Sequence, residues 1–287
     1  MERSANDRFK DLRFGRLIAW TILAASAAAI VTRIPPRADR LLSFVELGYV
    51  TYGVLLVTAV QACRRAGIRL SEVFGQPPAD PAPWLRTVLI VPPMMMTDAL
   101  LVLLTIAIGA MIAPRFTAAM LSRRSVPDLF PQAGVLVRWQ LALIASIIAP
   151  AIEELVFRGL LLRRLVASRG FWPGILLTSS IFALLHPQAL LGAFVIGVIF
   201  ALLYLASGSL LLSMLAHAIN NSIVSLGILL MSSDTKDGTA AELLKDLRGG
   251  WPAIVVGLVI VGSLLLWIAR PLVKEARERT SQSYLGA

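Results

Sequence analysis

The residues able to do chemistry lie in three apolar stretches of the chain. The first reads Pro150-Ala151-Ile152-Glu153-Glu154-Leu155-Val156-Phe157-Arg158, the second carries Phe182 and His186, and the third His217 and Asn221. His186 and His217 are the only two histidines in 287 residues. Ionisable groups are expensive at membrane depth, so a chain keeps them there mainly where they have a task. On a helix Glu154 and Arg158 share a face at i, i+4, which predicts an interior ion pair with a structural role. Glu153 is turned about 100° from that face. Its lone carboxylate is the candidate general base.

Phe182 and His186 share a helix face at i, i+4, and so do His217 and Asn221. A neutral imidazole can bind a metal or share a water, and an asparagine amide can donate to a developing oxyanion. A carboxylate base, two imidazoles and an amide donor are the parts needed to add water to a carbonyl. Phe182 itself reads as packing. Pro150 cannot donate to the carbonyl of Ser146, so the helix is expected to bend one turn before the glutamates and make room for water. No HExxH pair is present to argue for zinc by spacing. Asp98, midway along another apolar stretch after Pro92-Pro93, reads as part of a substrate groove or as a helix contact.

The elements that must position these groups are membrane helices. Hydrophobic residues make up 57% of the chain and charged residues 15%, with a mean hydropathy of +0.77. A soluble domain would be about one quarter charged. Eight spans are predicted, at residues 17–32, 41–63, 87–113, 139–165, 172–187, 189–206, 209–231 and 251–269, giving an all-α polytopic bundle. The run 17–32 has signal-peptide features, but reads as the first membrane helix because many spans follow. Pro92-Pro93 should kink or break the third span. Spans five to seven are separated by only Pro187-Gln188 and Ser207-Gly208, so they must be antiparallel neighbours with their polar residues in one bundle. Along the chain this divides residues 1–138, three helices behind a basic N-terminus, from a polar-bearing core at 139–231 and a last helix with a basic tail at 232–287.

The net charge of +10 is spread between the apolar segments, which excludes a nucleic-acid surface and fits orientation signals. With the N-terminus inside, sixteen Lys and Arg fall on the inner side and ten on the outer, with Arg158 within a span. Both termini are therefore expected in the cytoplasm. A helical rise of 1.5 Å puts Glu153 about 15 Å, His217 about 12 Å and His186 about 22 Å from the inner end of their spans. Cys63 is the only cysteine, so no intramolecular disulfide can form. Beside Arg64 and Arg65 it reads as a lipidation candidate, and the basic N-terminus with Phe9, Leu12 and Phe14 as a segment lying on anionic lipid.

The three polar stretches resemble the motifs of the CPBP intramembrane proteases, which include the type II CAAX prenyl endopeptidases and Abi-type proteins. EExxxR stands as Glu153-Glu154-Leu155-Val156-Phe157-Arg158, FxxxH as Phe182 to His186, and HxxxN as His217 to Asn221. The resemblance covers about residues 139 to 231. It implies an endopeptidase in the cell membrane in which Glu153 and His186 activate water, His217 and Asn221 stabilise the oxyanion, and Glu154, Arg158 and Phe182 support them. Its substrate would be a membrane-associated peptide or protein, lipidated in the CAAX branch of the family. Glu153, His186 and His217 would also serve as a three-ligand zinc site. A metal-free reaction is favoured, because Asn221 then has an oxyanion role. The competing classes are a bacteriocin-immunity or scaffold protein that acts by binding, and a transporter relaying protons through Glu and His. Oligomeric state is not legible from the residues.

Overall fold

The computed structural model describes residues 5–10, 12, 15, 19, 41–121, 134–230 and 240–285. Ten helices follow in order among them: α1 (Ala5–Lys10), α2 (Leu41–Arg65), α3 (Leu70–Phe74), α4 (Pro81–Ile112), α5 (Pro114–Leu121), α6 (Val135–Arg169), α7 (Phe171–Leu184), α8 (Leu190–Ser207), α9 (Leu210–Leu230) and α10 (Ala240–Leu285). No strand occurs among the described residues. Six helical stretches are long and apolar enough to cross a membrane, in α2, α4, α6, α8, α9 and α10. The fold is thus a helical membrane bundle. Of the eight expected spans, 172–187 corresponds to the 14-residue α7, and 17–32 lies outside the described residues.

α8 stands at the centre because its sequence has no charged residue on any face, and a helix apolar all round belongs in an interior. It packs against α4, α6, α7, α9 and α10. The surrounding helices turn apolar side chains outward: Val50 and Val57 of α2, Leu89 of α4, and Val259, Ile260 and Leu266 of α10 are exposed. Such faces suit hydrocarbon, not water.

α7 has 14 residues and is only ~21 Å long at 1.5 Å per residue, against a hydrocarbon layer of ~30 Å. Starting from the basic turn of α6 at Arg163 to Arg169, it ends before reaching the far side. The α7–α8 joint, one 3₁₀ turn at Pro187–Ala189 packed on α4, therefore falls inside the layer and carries His186 with it.

Three expectations are corrected. α4 runs unbroken through Pro92 and Pro93, as membrane helices can when neighbours enclose them. Cys63 is buried in the core and closed to modification. Residues 5–10 and Leu12 pack on the protein rather than on lipid: Phe9 and Leu12 are buried, Arg8 donates to the Gly67 carbonyl at 2.7 Å and pairs with Glu72 at 2.9 Å, and Phe14 lies outside the described residues. α10 also outruns its expected limits. Leu272 and Ala276 continue its buried face among charged residues, and Arg86 of α4 clamps Glu275 at 2.8 and 2.9 Å.

Candidate active site

The glutamate pair sits on α6 between two widened turns. Residues Ile144–Ile148 and Leu155–Leu162 are π-helical, and Ala149–Glu154 between them is α-helical. Pro150 explains the first of these. In the π turn the Ala149 N–H donates to the Ile144 carbonyl. The next donor along, Pro150, has no N–H, so the Ala145 carbonyl loses both its α-type and its π-type partner. A buried carbonyl must be paired. Asn221 of α9 does so, its Nδ2 donating to Ala145 O at 2.9 Å, and Ser225 adds a bond to Ser146 at 3.1 Å. In the second widened turn, Gly159 leaves the space that Val73 of α3 fills.

Arg158 is fully buried. It donates to Glu154 Oε1 at 2.7 Å and to the Gly197 carbonyl at 3.3 Å, and stacks 4.6 Å from the Phe182 ring centre and 5.2 Å from that of Phe200. Burial is tolerable because the pair is mutual and the guanidinium also meets aromatic faces. Glu154 Oε1 serves a second partner, His217 Nδ1, at 2.9 Å. A carboxylate oxygen accepts, so Nδ1 carries the hydrogen and Nε2 is turned outward. Nε2 stands 3.9 Å from Glu153 Oε2. That is beyond direct hydrogen bonding, and a third atom can approach both.

Glu153 has a partner the sequence did not suggest: the Tyr52 hydroxyl of α2 donates to its Oε1 at 2.8 Å. One carboxylate oxygen is thus held and the other faces His217. At the end of α7 the His186 Nδ1 lies 2.8 Å from the Phe182 carbonyl. The carbonyl can only accept, so Nδ1 is the protonated nitrogen and Nε2 keeps its lone pair. Phe182 is the hub of the aromatic contacts, 4.4 Å from the His186 ring and 6.0 Å from that of His217.

The structure therefore brings Glu153, Glu154, Arg158, Phe182 and His217 into one contiguous centre and sets His186 against its Phe182 wall. Asn221 is engaged with α6, with one amide N–H remaining. Among the described residues no hydrogen bond or ion pair joins His186 to Glu153, and no three His, Cys, Asp or Glu side chains are grouped to hold one metal ion. Glu153, His186 and His217 thus do not form a zinc triad in this geometry. Asp98 is the other residue the sequence underweighted. Its carboxylate occupies the notch left by Gly192, and its buried Oδ1 has no hydrogen-bond partner among the described residues. Three groups were thus missed: Tyr52, the Glu154–His217 link and the Ala145 carbonyl. Only a phenol inside an apolar run and the Pro150 break offered any signal for them.

Fold and site together define a polytopic membrane protein with a charged, hydrogen-bonded centre built inside its helices. Residues 135–223 match the family described as type II CAAX prenyl endopeptidase Rce1-like. The matched stretch runs from the start of α6 into α9 and contains every predicted site residue. No curated protein and no solved structure matched the chain.

Proposed function

We propose that the protein is an intramembrane endopeptidase that hydrolyses a peptide bond of a membrane-associated substrate. The observation that carries this reading is the facing pair of Glu153 Oε2 and His217 Nε2, 3.9 Å apart, each held from behind by Tyr52 or Glu154. Glu153 takes the proton of a water molecule as that water attacks the scissile carbonyl. The His186 Nε2 lone pair is the second acceptor on the water. His217, when it carries both protons, donates from Nε2 to the oxyanion, and the remaining N–H of Asn221 is the second donor. Glu153 then returns the proton to the leaving amine.

The oxyanion role of Asn221 favours a reaction without a metal ion. The basic ends of the helices support a cell-membrane location with both termini in the cytoplasm. Comparative peptidomics of cells carrying the wild type or Glu153→Gln tests the proposal. A cleavage product lost in the variant would name substrate and bond. An unchanged peptide pool, with the variant folded and present in the membrane, would remove the protease reading. Full activity after chelation supports the metal-free mechanism, and restoration of a chelated enzyme by zinc would overturn it.

A further inference from the structure

At the basic end of the bundle, away from the Glu and His centre, two cavities of about 310 and 370 Å³ lie side by side and share Gln76 and Arg279. The first is polar, with Arg163, Tyr204 and Thr280 in its wall. The second is largely apolar, walled by Pro78, Leu203, Leu212 and Leu272. Both lie where α3, the α8–α9 turn and the outer part of α10 meet.

The charges here are arranged unequally. Glu72, in the polar cavity, is already met by Arg8 at 2.9 Å and Arg69 at 2.7 Å. Glu275, in the apolar one, is met by Arg86 at 2.8 Å. Arg163 donates to the Glu72 carbonyl and lies over the Phe9 ring, so its charge has no carboxylate partner there. Arg279 forms no ion pair among the described residues. Its guanidinium instead lies flat on Gly208, where any Cβ would overlap it. Gly208 has φ 69°, a conformation glycine adopts freely. The turn between α8 and α9 thus holds a planar cation at the boundary of the two cavities.

We infer that this double cavity binds a phosphate-bearing amphiphile, with the phosphodiester on Arg279 and Arg163 and the glycerol–acyl portion in the apolar cavity. A guanidinium meets a phosphate with two parallel N–H bonds. Basic pockets between membrane helices are suited to anionic headgroups. A headgroup alone would leave the second cavity unused, which favours a membrane phospholipid over a soluble phosphate. The inference does not rest on the protease reading and is tested in the Glu153→Gln background, so either can fail alone.

The full chain in phosphatidylcholine nanodiscs is titrated with phosphatidylglycerol, glycerol phosphate or inorganic phosphate, and its melting temperature is followed. Phosphatidylglycerol should raise the melting temperature. Arg279→Gln should weaken that response about fivefold, the loss of one cation near an anionic surface. Arg279→Lys should weaken it less, and Arg270→Gln, exposed outside the cavities, not at all. A response unchanged in Arg279→Gln, or weakened equally in Arg270→Gln, would overturn the site in favour of general surface charge. If inorganic phosphate matches the lipid and Arg279→Gln abolishes both responses, the anion site stands and the phospholipid assignment fails.

Discussion

Each group to which the proposed reaction gives a part is held by a partner to which it gives none. Tyr52 holds one oxygen of Glu153, Glu154 holds Nδ1 of His217, and the Phe182 carbonyl holds Nδ1 of His186. Tyr52→Phe removes a hydrogen bond to a charged group, worth about 1.5–3 kcal/mol. If that energy orients the base, kcat falls about tenfold to a hundredfold with KM nearly unchanged, and the same lost bond lowers the melting temperature. A loss confined to KM would assign Tyr52 to substrate binding instead. The two glutamates should separate cleanly. Glu153→Gln should fold and be inactive, whereas Glu154→Ala strands Arg158 in the core, a loss of about 3–5 kcal/mol visible as a lowered melting temperature. Adjacent in sequence, these carboxylates were separated by helical phase alone, which paired Glu154 with Arg158. What phase could not supply was Glu154's second partner, because that contact joins residues 63 apart. Tyr52 was invisible for a similar reason, 101 residues from the group it binds.

At the scale of the element, α6 departs from regular geometry where the chemistry is. Pro150 diverts the hydrogen bonds of one turn, and α9 supplies Asn221 to cover the exposed Ala145 carbonyl. Pro150→Ala returns an N–H and lets the α-helix close. It should raise the melting temperature, since a proline inside a helix costs about 3 kcal/mol, and lower activity by shifting the glutamates relative to His217. Parallel assays of stability and turnover check this, and a gain in both would show that the widened turn is incidental. That Pro150 disturbs the helix was legible. The widened turn was not, because its form depends on a partner such as Asn221 being in reach. The lengths of α7 and α10 were misjudged for a related reason: apolar runs mark what hydrocarbon covers, while helix ends follow packing.

At the scale of the molecule, the membrane architecture was the most legible feature, because it depends on composition summed over long stretches. The N-terminal segment was misread, since Phe9 and Leu12 suit lipid and protein equally well and only the fold decides. That segment is tied by Glu72. Burial raises the Glu72 carboxyl pKa, but the Arg69 hydrogen bond and the charges of Arg8 and Arg69 outweigh it and hold the pKa below the usual 4.5. A depressed carboxyl contributes stability that is fully present above its unfolded value and lost as pH falls through its folded one. Residues 5–10 should therefore become exchange-labile only under acid below about pH 4. Measured by hydrogen exchange, Glu72→Gln should show the loosened segment at neutral pH as well. A segment equally protected in both proteins would remove Glu72 from that role.

The short α7 bears on the lipid as much as on the protein. Next to a helix ~9 Å shorter than the hydrocarbon layer, the bilayer must thin or the neighbouring chains must tilt, at a cost of fractions of a kcal/mol per Å. Where the bilayer thins, headgroups and water come nearer the joint that bears His186. If the proposed hydrolysis takes place there, acyl-chain length becomes a control on it: short-chain bilayers should speed it and long-chain ones should slow it with the residues unchanged.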